Sequence, residues 1–129
     1  MICPSCKNQL IILEFNKVEI DYCTECSGIW LDSGELELLS GKSHHEGIIE
    51  NFHITDSGTE KKRKCPLCNK RMNKYFYGND KELLVDICKK EHGIWFDKNE
   101  LSLILSKLDK SVSNEISNFL NDIFNFQNK

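Results

Sequence analysis

Apolar and polar positions alternate in two short stretches of this chain, one in each half. Val18, Ile20 and Tyr22 alternate with Glu19 and Asp21, the period of a half-buried strand. With the apolar residues before them they predict a hairpin, strands roughly 9–15 and 18–22, turning at Asn16-Lys17. A second hairpin is predicted with strands roughly 72–77 and 82–87, around Gly78-Asn79-Asp80. A helix is expected after each hairpin, roughly 33–40, stopping near Gly41, and roughly 98–109, through Leu101, Ile104, Leu105 and Leu108. Asp32 and Asp97 read as N-caps, with Glu35 and Glu100 three residues on, the pattern of a capping box. Farther on, Val112, Ile116, Phe119, Leu120, Ile123 and Phe124 share one helical face, predicting an amphipathic helix roughly over 112–126.

The two halves repeat. Gly28-Ile29-Trp30-Leu31-Asp32 returns as Gly93-Ile94-Trp95-Phe96-Asp97, and Glu35-Leu36 as Glu100-Leu101, all 65 positions apart. Cys3-Pro4-Ser5-Cys6 returns as Cys65-Pro66-Leu67-Cys68, 62 apart, so the second copy carries three more residues between its ligand pairs. The longer second hairpin turn is expected to absorb them. The repeat divides the chain into a first ribbon with its helix over 1–40, a linker with a basic end over 41–64, a second ribbon with its helix over 65–109, and the last helix over 110–129.

The chemistry lies in the cysteines. Cys3, Cys6, Cys23 and Cys26 form two CxxC pairs brought together by a hairpin, the arrangement that places four thiolates around one zinc ion. Proline after the first cysteine suits the tight turn, because its φ is already fixed. The second copy offers Cys65, Cys68 and Cys88, and its fourth position holds Glu91 followed by His92. Glu91 could ligate through oxygen, or His92 through nitrogen. Three thiolates and an imidazole are a common structural set, which favours His92. Two zinc ions are therefore expected. A ribbon of some 45 residues has little core of its own, and zinc would contribute folding free energy on the order of 10 kcal/mol per site. Trp30 and Trp95, between a knuckle and a helix, read as core. His44, His45 and His53 read as solvated.

The run CPxC, hairpin, CxxCxGxWLDxxEL, here Cys3 to Cys6 and Cys23 to Leu36, resembles the transcription-factor-IIB-type zinc ribbon family of small prokaryotic proteins. His92-Gly93-Ile94-Trp95-Phe96-Asp97 resembles its variant form with an HGxWFD knuckle, which implies His92 as the ligand. The resemblance spans roughly 1–40 and 65–108, and leaves out the linker and the last helix. It implies a small zinc-bound α+β fold of two tandem zinc ribbons, each a β-hairpin plus a short helix, to which the apolar spacing adds a C-terminal amphipathic helix.

Charge divides the chain. Residues 1–60 hold three basic and eleven acidic side chains, net -8, and residues 61–129 hold fourteen basic and nine acidic, net +5. Nucleic-acid binding through phosphates needs unopposed cations. Only the second half offers them, in Lys61, Lys62, Arg63, Lys64, Lys70, Arg71 and Lys74, with Tyr75, Phe76 and Tyr77 as stacking candidates. The leading expectation is a protein-interaction or regulatory module. A transcription-related nucleic-acid-binding protein is the alternative, and the last helix is a candidate homodimer surface. Two closed four-ligand sites leave no position for water, so catalysis is not expected. Neither a membrane-spanning run nor a signal pattern is visible, and seven cysteines at metal spacing suit a reducing compartment, so a cytoplasmic location is expected.

Overall fold

A computed structural model describes residues 1–39, 51–55, 63–108 and 110–127. In the first ribbon, β1 (Ile11–Phe15) and β2 (Val18–Tyr22) form the expected hairpin. Its turn is only Asn16-Lys17, with φ of 51° and 66°, the paired left-handed residues of a type I′ turn. β3 (Ile29–Asp32) and α1 (Glu35–Leu39) come next. The second ribbon repeats the plan with β5 (Asn73–Tyr77), β6 (Asp80–Ile87), β7 (Gly93–Phe96) and α2 (Glu100–Leu108). Between the ribbons runs β4 (Phe52–Ile54), and α3 (Lys110–Gln127) is the last element.

All the strands among the described residues join one antiparallel sheet in the order β1-β2-β3-β7-β6-β5-β4. Its seam is β3 against β7, where Ile29 faces Phe96, Trp30 faces Trp95, Leu31 faces Ile94 and Asp32 faces Gly93. Trp30 and Trp95 are repeat equivalents and lie opposite each other. A local two-fold axis therefore passes between them and turns one ribbon onto the other. The repeat is a dimer-like pair fused into one sheet.

Each face of the sheet carries a core, because side chains alternate along a strand. One face holds Ile20, Leu31, Val85, Phe96 and the buried side of the helices, including Leu36, Leu101, Ile104 and Leu105. The other holds Trp30, Trp95, Leu10, Met72 and the buried cysteines of both ribbons. α3 packs along α2 through Val112 and Ile116, with Ser113 Oγ donating to the Ser102 carbonyl at 2.8 Å. It also reaches the first ribbon, where Phe119 lies 5.1 Å from Phe15, centroid to centroid.

Three local expectations change. The Gly78-Asn79 turn is as short as its counterpart, and the three extra residues form a bulge in β6, between Phe76↔Leu84 and Tyr77↔Asp80. The bulge delivers Leu83 to the core. Inside the expected linker, Phe52 packs on Tyr77, 5.1 Å between ring centroids, and pairs β4 to the edge of β5. Asp32 and Asp97 do not cap the helices: Leu38 N–H and Leu103 N–H bond to the carbonyls of Gly34 and Asn99. The aspartate carboxylates instead accept the indole N–H of Trp30 at 2.8 Å and of Trp95 at 3.0 Å. A buried indole N–H needs an acceptor, and that need takes the aspartate carboxylates away from the helix ends. One half of each capping box remains, as Asp32 N–H donates to Glu35 and Asp97 N–H to Glu100.

Candidate metal centres

Each knuckle is built by its backbone. Lys7 N–H returns to the Cys3 carbonyl, Asn69 to Cys65 and Ser27 to Cys23. Lys7, Asn69 and Ser27 take φ of 70°, 60° and 64°, the left-handed value that ends the turn. The turns aim N–H groups at sulfur: Ser5 and Cys6 donate to Cys3 Sγ at 3.3 and 3.4 Å, and Leu67 to Cys65 Sγ at 3.4 Å. Such bonds favour the thiolate, the form that ligates a metal.

In the first ribbon the sulfurs of Cys3, Cys6, Cys23 and Cys26 lie within 4.8 Å of one another. Cys3 is 3.6 Å from Cys26, and Cys6 is 3.3 Å from Cys23. A tetrahedral ion with metal–sulfur bonds of about 2.3 Å holds its sulfurs about 3.8 Å apart. The cluster thus needs only a small expansion to close on zinc. In the second ribbon Cys65, Cys68, Cys88 and His92 form the equivalent group. His92 Nδ1 lies 3.9 Å from Cys65 Sγ and 3.5 Å from Cys88 Sγ, and Cys68 Sγ is 3.7 Å from Cys88 Sγ. Both groups fit zinc by donor type, number and spacing.

The last knuckle shows why histidine takes the place of a cysteine. In the first ribbon the turn closes over four residues, from Ser27 to Cys23; in the second it closes over three, from Glu91 to Cys88 at 2.9 Å. The left-handed residue therefore comes one position earlier, at Glu91, with φ of 61°. That step leaves Glu91 exposed and delivers His92 to the thiolates. Of the two ligands left open by spacing, the structure brings His92 into the group.

Without an ion the thiols are unequally poised. The backbone N–H of Asn8 is the main influence lowering Cys6 to about 6, and that of Lys70 lowers Cys68 to about 7. Burial raises Cys65 to about 11 and also pushes up Cys3 and Cys26. An ion would therefore have to displace protons from the buried members.

The remaining candidates are dispersed. Trp30 and Trp95 are fully buried, as expected of core. His53 is exposed beside Phe76, 5.3 Å between ring centroids, while His44 and His45 lie outside the described residues. Among the basic candidates, Lys61 and Lys62 also lie outside them. Lys74 is buried against Asp86 at 3.0 Å and Arg63 bonds Asp97 at 3.2 Å, so neither is an open phosphate contact. Lys64, Lys70 and Arg71 are exposed. Tyr77 is buried, with Tyr75 and Phe76 half-buried. The pairing of Lys74 could not be read from a run of basic residues, because its partner comes from the neighbouring strand.

A knuckle–hairpin–knuckle unit with four converging soft ligands defines a zinc ribbon, and two of them define this molecule. The chain belongs to the transcription factor zinc-finger family of TFIIB-type zinc ribbons, which matches residues 2–40 and 64–107. No curated protein and no solved structure gave a match.

Proposed function

We propose that the chain is a non-catalytic module, working in the cytoplasm, that binds an amphipathic helix of a protein partner. A groove between α1 and the second ribbon carries this reading. It measures ≈ 560 Å³ and is lined by Leu31, Leu36, Phe52, Tyr75, Ile87 and Ile94. The local two-fold turns Ile94, Leu36 and Ile87 onto Ile29, Leu101 and Tyr22, which line a smaller cleft of ≈ 300 Å³. There α3 contributes Ser117, Leu120 and Asn121. Among the described residues no helix performs that service for the larger groove. Asp32, Glu37 and Glu91 on its wall outnumber Lys89, so the complementary helix has an apolar stripe and a basic polar face. Four protein ligands at each zinc leave no open coordination position, which supports a role without catalysis. Seven cysteines at metal-ligand spacing suit a compartment that keeps thiols reduced, which supports the cytoplasmic reading.

A photo-crosslinker at Ser33, an exposed residue on the groove wall, tests the reading in native cells. The expected product joins this chain to another protein through a basic segment with apolar residues at helical spacing. Glu37→Lys with Glu91→Lys should abolish it while zinc content stays at two. Crosslinks to residues of this chain, or of a second copy, would show the groove to be self-occupied. Crosslinks to nucleic acid lost on changing Lys64, Lys70 and Arg71 to Glu would favour the alternative, a transcription-related role through the second ribbon.

A further inference from the structure

We infer that the two metal sites fill as a coupled pair, because each zinc knuckle is completed by the tryptophan of the opposite ribbon. The contact is reciprocal. A Cβ at Gly28, two residues past Cys26, would fall within the indole of Trp95, its Cη2 only 2.5 Å away. A Cβ at Gly93, beside His92, would overlap the Leu31 carbonyl and lie 2.6 Å from Cζ2 of Trp30. These glycines are also the closing residues of their own knuckles: the Gly28 carbonyl accepts from Cys23 N–H at 3.0 Å, and Gly93 from Cys88 N–H at 3.2 Å. Each glycine is therefore tied to its own metal ligand and covered by the other ribbon's indole.

A second link crosses the seam directly. Ser33 N–H of the first ribbon donates to the carbonyl of His92, the fourth ligand of the second, at 3.0 Å. Both tryptophans are fully buried, and they share one apolar cluster with cysteines of both sites. An ion that orders one knuckle fixes its glycine, which seats the opposite tryptophan and steadies the opposite ribbon. Binding at one site thereby removes part of the ordering cost at the other, and linkage makes the effect mutual. The inference rests on zinc occupancy and is independent of what the groove binds.

Native mass spectrometry of the full chain, equilibrated in zinc buffered by a competing chelator, reads this directly. At half saturation, sites that ignore each other leave at least about half of the molecules with one ion, whatever their affinities; positive coupling lowers that share. The wild-type chain should show fewer than half with one ion, with metal-free and two-ion species dominating. Trp95→Ala should bring the one-ion share to about half or above, and Trp95→Phe should restore part of the coupling. A local structural role for Trp95 would also raise that share, by making the two affinities unequal, and is told apart by an unchanged first-site affinity in His92→Ala. If Trp95→Ala does not fold, His92→Ala supplies the second measurement: the Cys3, Cys6, Cys23, Cys26 site should lose zinc affinity roughly tenfold. A wild-type one-ion share of half or more together with an unchanged first-site affinity in His92→Ala overturns the inference.

Discussion

At position 91 a left-handed backbone turns a carboxylate outward and carries the next side chain to three thiolates. His92→Ala should therefore release one zinc per chain, while Glu91→Ala should keep both, as metal analysis of the purified variants will show. The glycines permit a sharper forecast. Gly93→Ala meets a backbone oxygen, which has no rotamer to escape into, whereas Gly28→Ala meets an indole. Both should destabilise the zinc-loaded protein by about 1–3 kcal/mol, with Gly93→Ala the worse, read as a lower unfolding midpoint. The sequence makes the ligand types and the repeated Gly-x-Trp plain. It does not make plain that glycine and tryptophan meet across ribbons, because a spacing within each copy says nothing about pairing between copies. Glu35 illustrates a further limit, since burial first, and then Asp32 and Asp21 nearby, push it up to about 7 despite the N–H it accepts from Asp32. An acid with a raised folded pKa favours the fold fully below its unfolded pKa and loses that contribution as pH climbs through the folded value. Glu35→Gln cannot ionise, so its Tm relative to wild type should rise from pH 6 to pH 8 in saturating zinc. A constant difference across that interval would remove Glu35 from the balance.

Among the elements, the hairpins are legible because alternation and turn chemistry act over neighbouring residues. Lys17 gives a direct handle on the first turn. It holds φ at 66°, where glycine meets no steric penalty, and Asn-Gly is the favoured type I′ pair. Lys17→Gly should raise thermal stability by roughly 0.5 kcal/mol, the relief of a left-handed backbone partly offset by a more flexible unfolded chain. β3 and β7 are less legible. Ile29, Trp30 and Leu31 are all buried, so they show no alternation, and their hydrogen-bonding partners are set by the seam. β4 shows the same limit at three residues, where pairing to β5 outweighs a composition that reads as a linker. The bulge in β6 is hidden for another reason: an insertion's length is visible, but whether it enlarges a turn or folds into a strand depends on the place available for Leu83.

On the scale of the molecule, α3 breaks the two-fold relation between the ribbons, because it packs on α2 and has no counterpart on α1 among the described residues. Its sequence predicts an amphipathic face needing cover, in its own chain or in a second copy. Val112 and Ile116 are buried within the chain, beside α2, and Phe119 meets Phe15 of the first ribbon. α3 thus helps hold the two ribbons together on the face opposite the metal sites. Ending the chain after residue 109 would uncover Phe15 and the buried side of α2 that packs against α3. Exposing about three such side chains forfeits roughly 1.5–3 kcal/mol each and creates an apolar patch prone to association. The truncated protein should keep two zinc ions, because no ligand and neither tryptophan lies on that face. Its unfolding midpoint should fall, and it should sediment as a larger species than the full chain at the same concentration. If the full chain instead sediments as a dimer and the truncated form as a monomer, α3 joins two copies and its packing on α2 is not its main role.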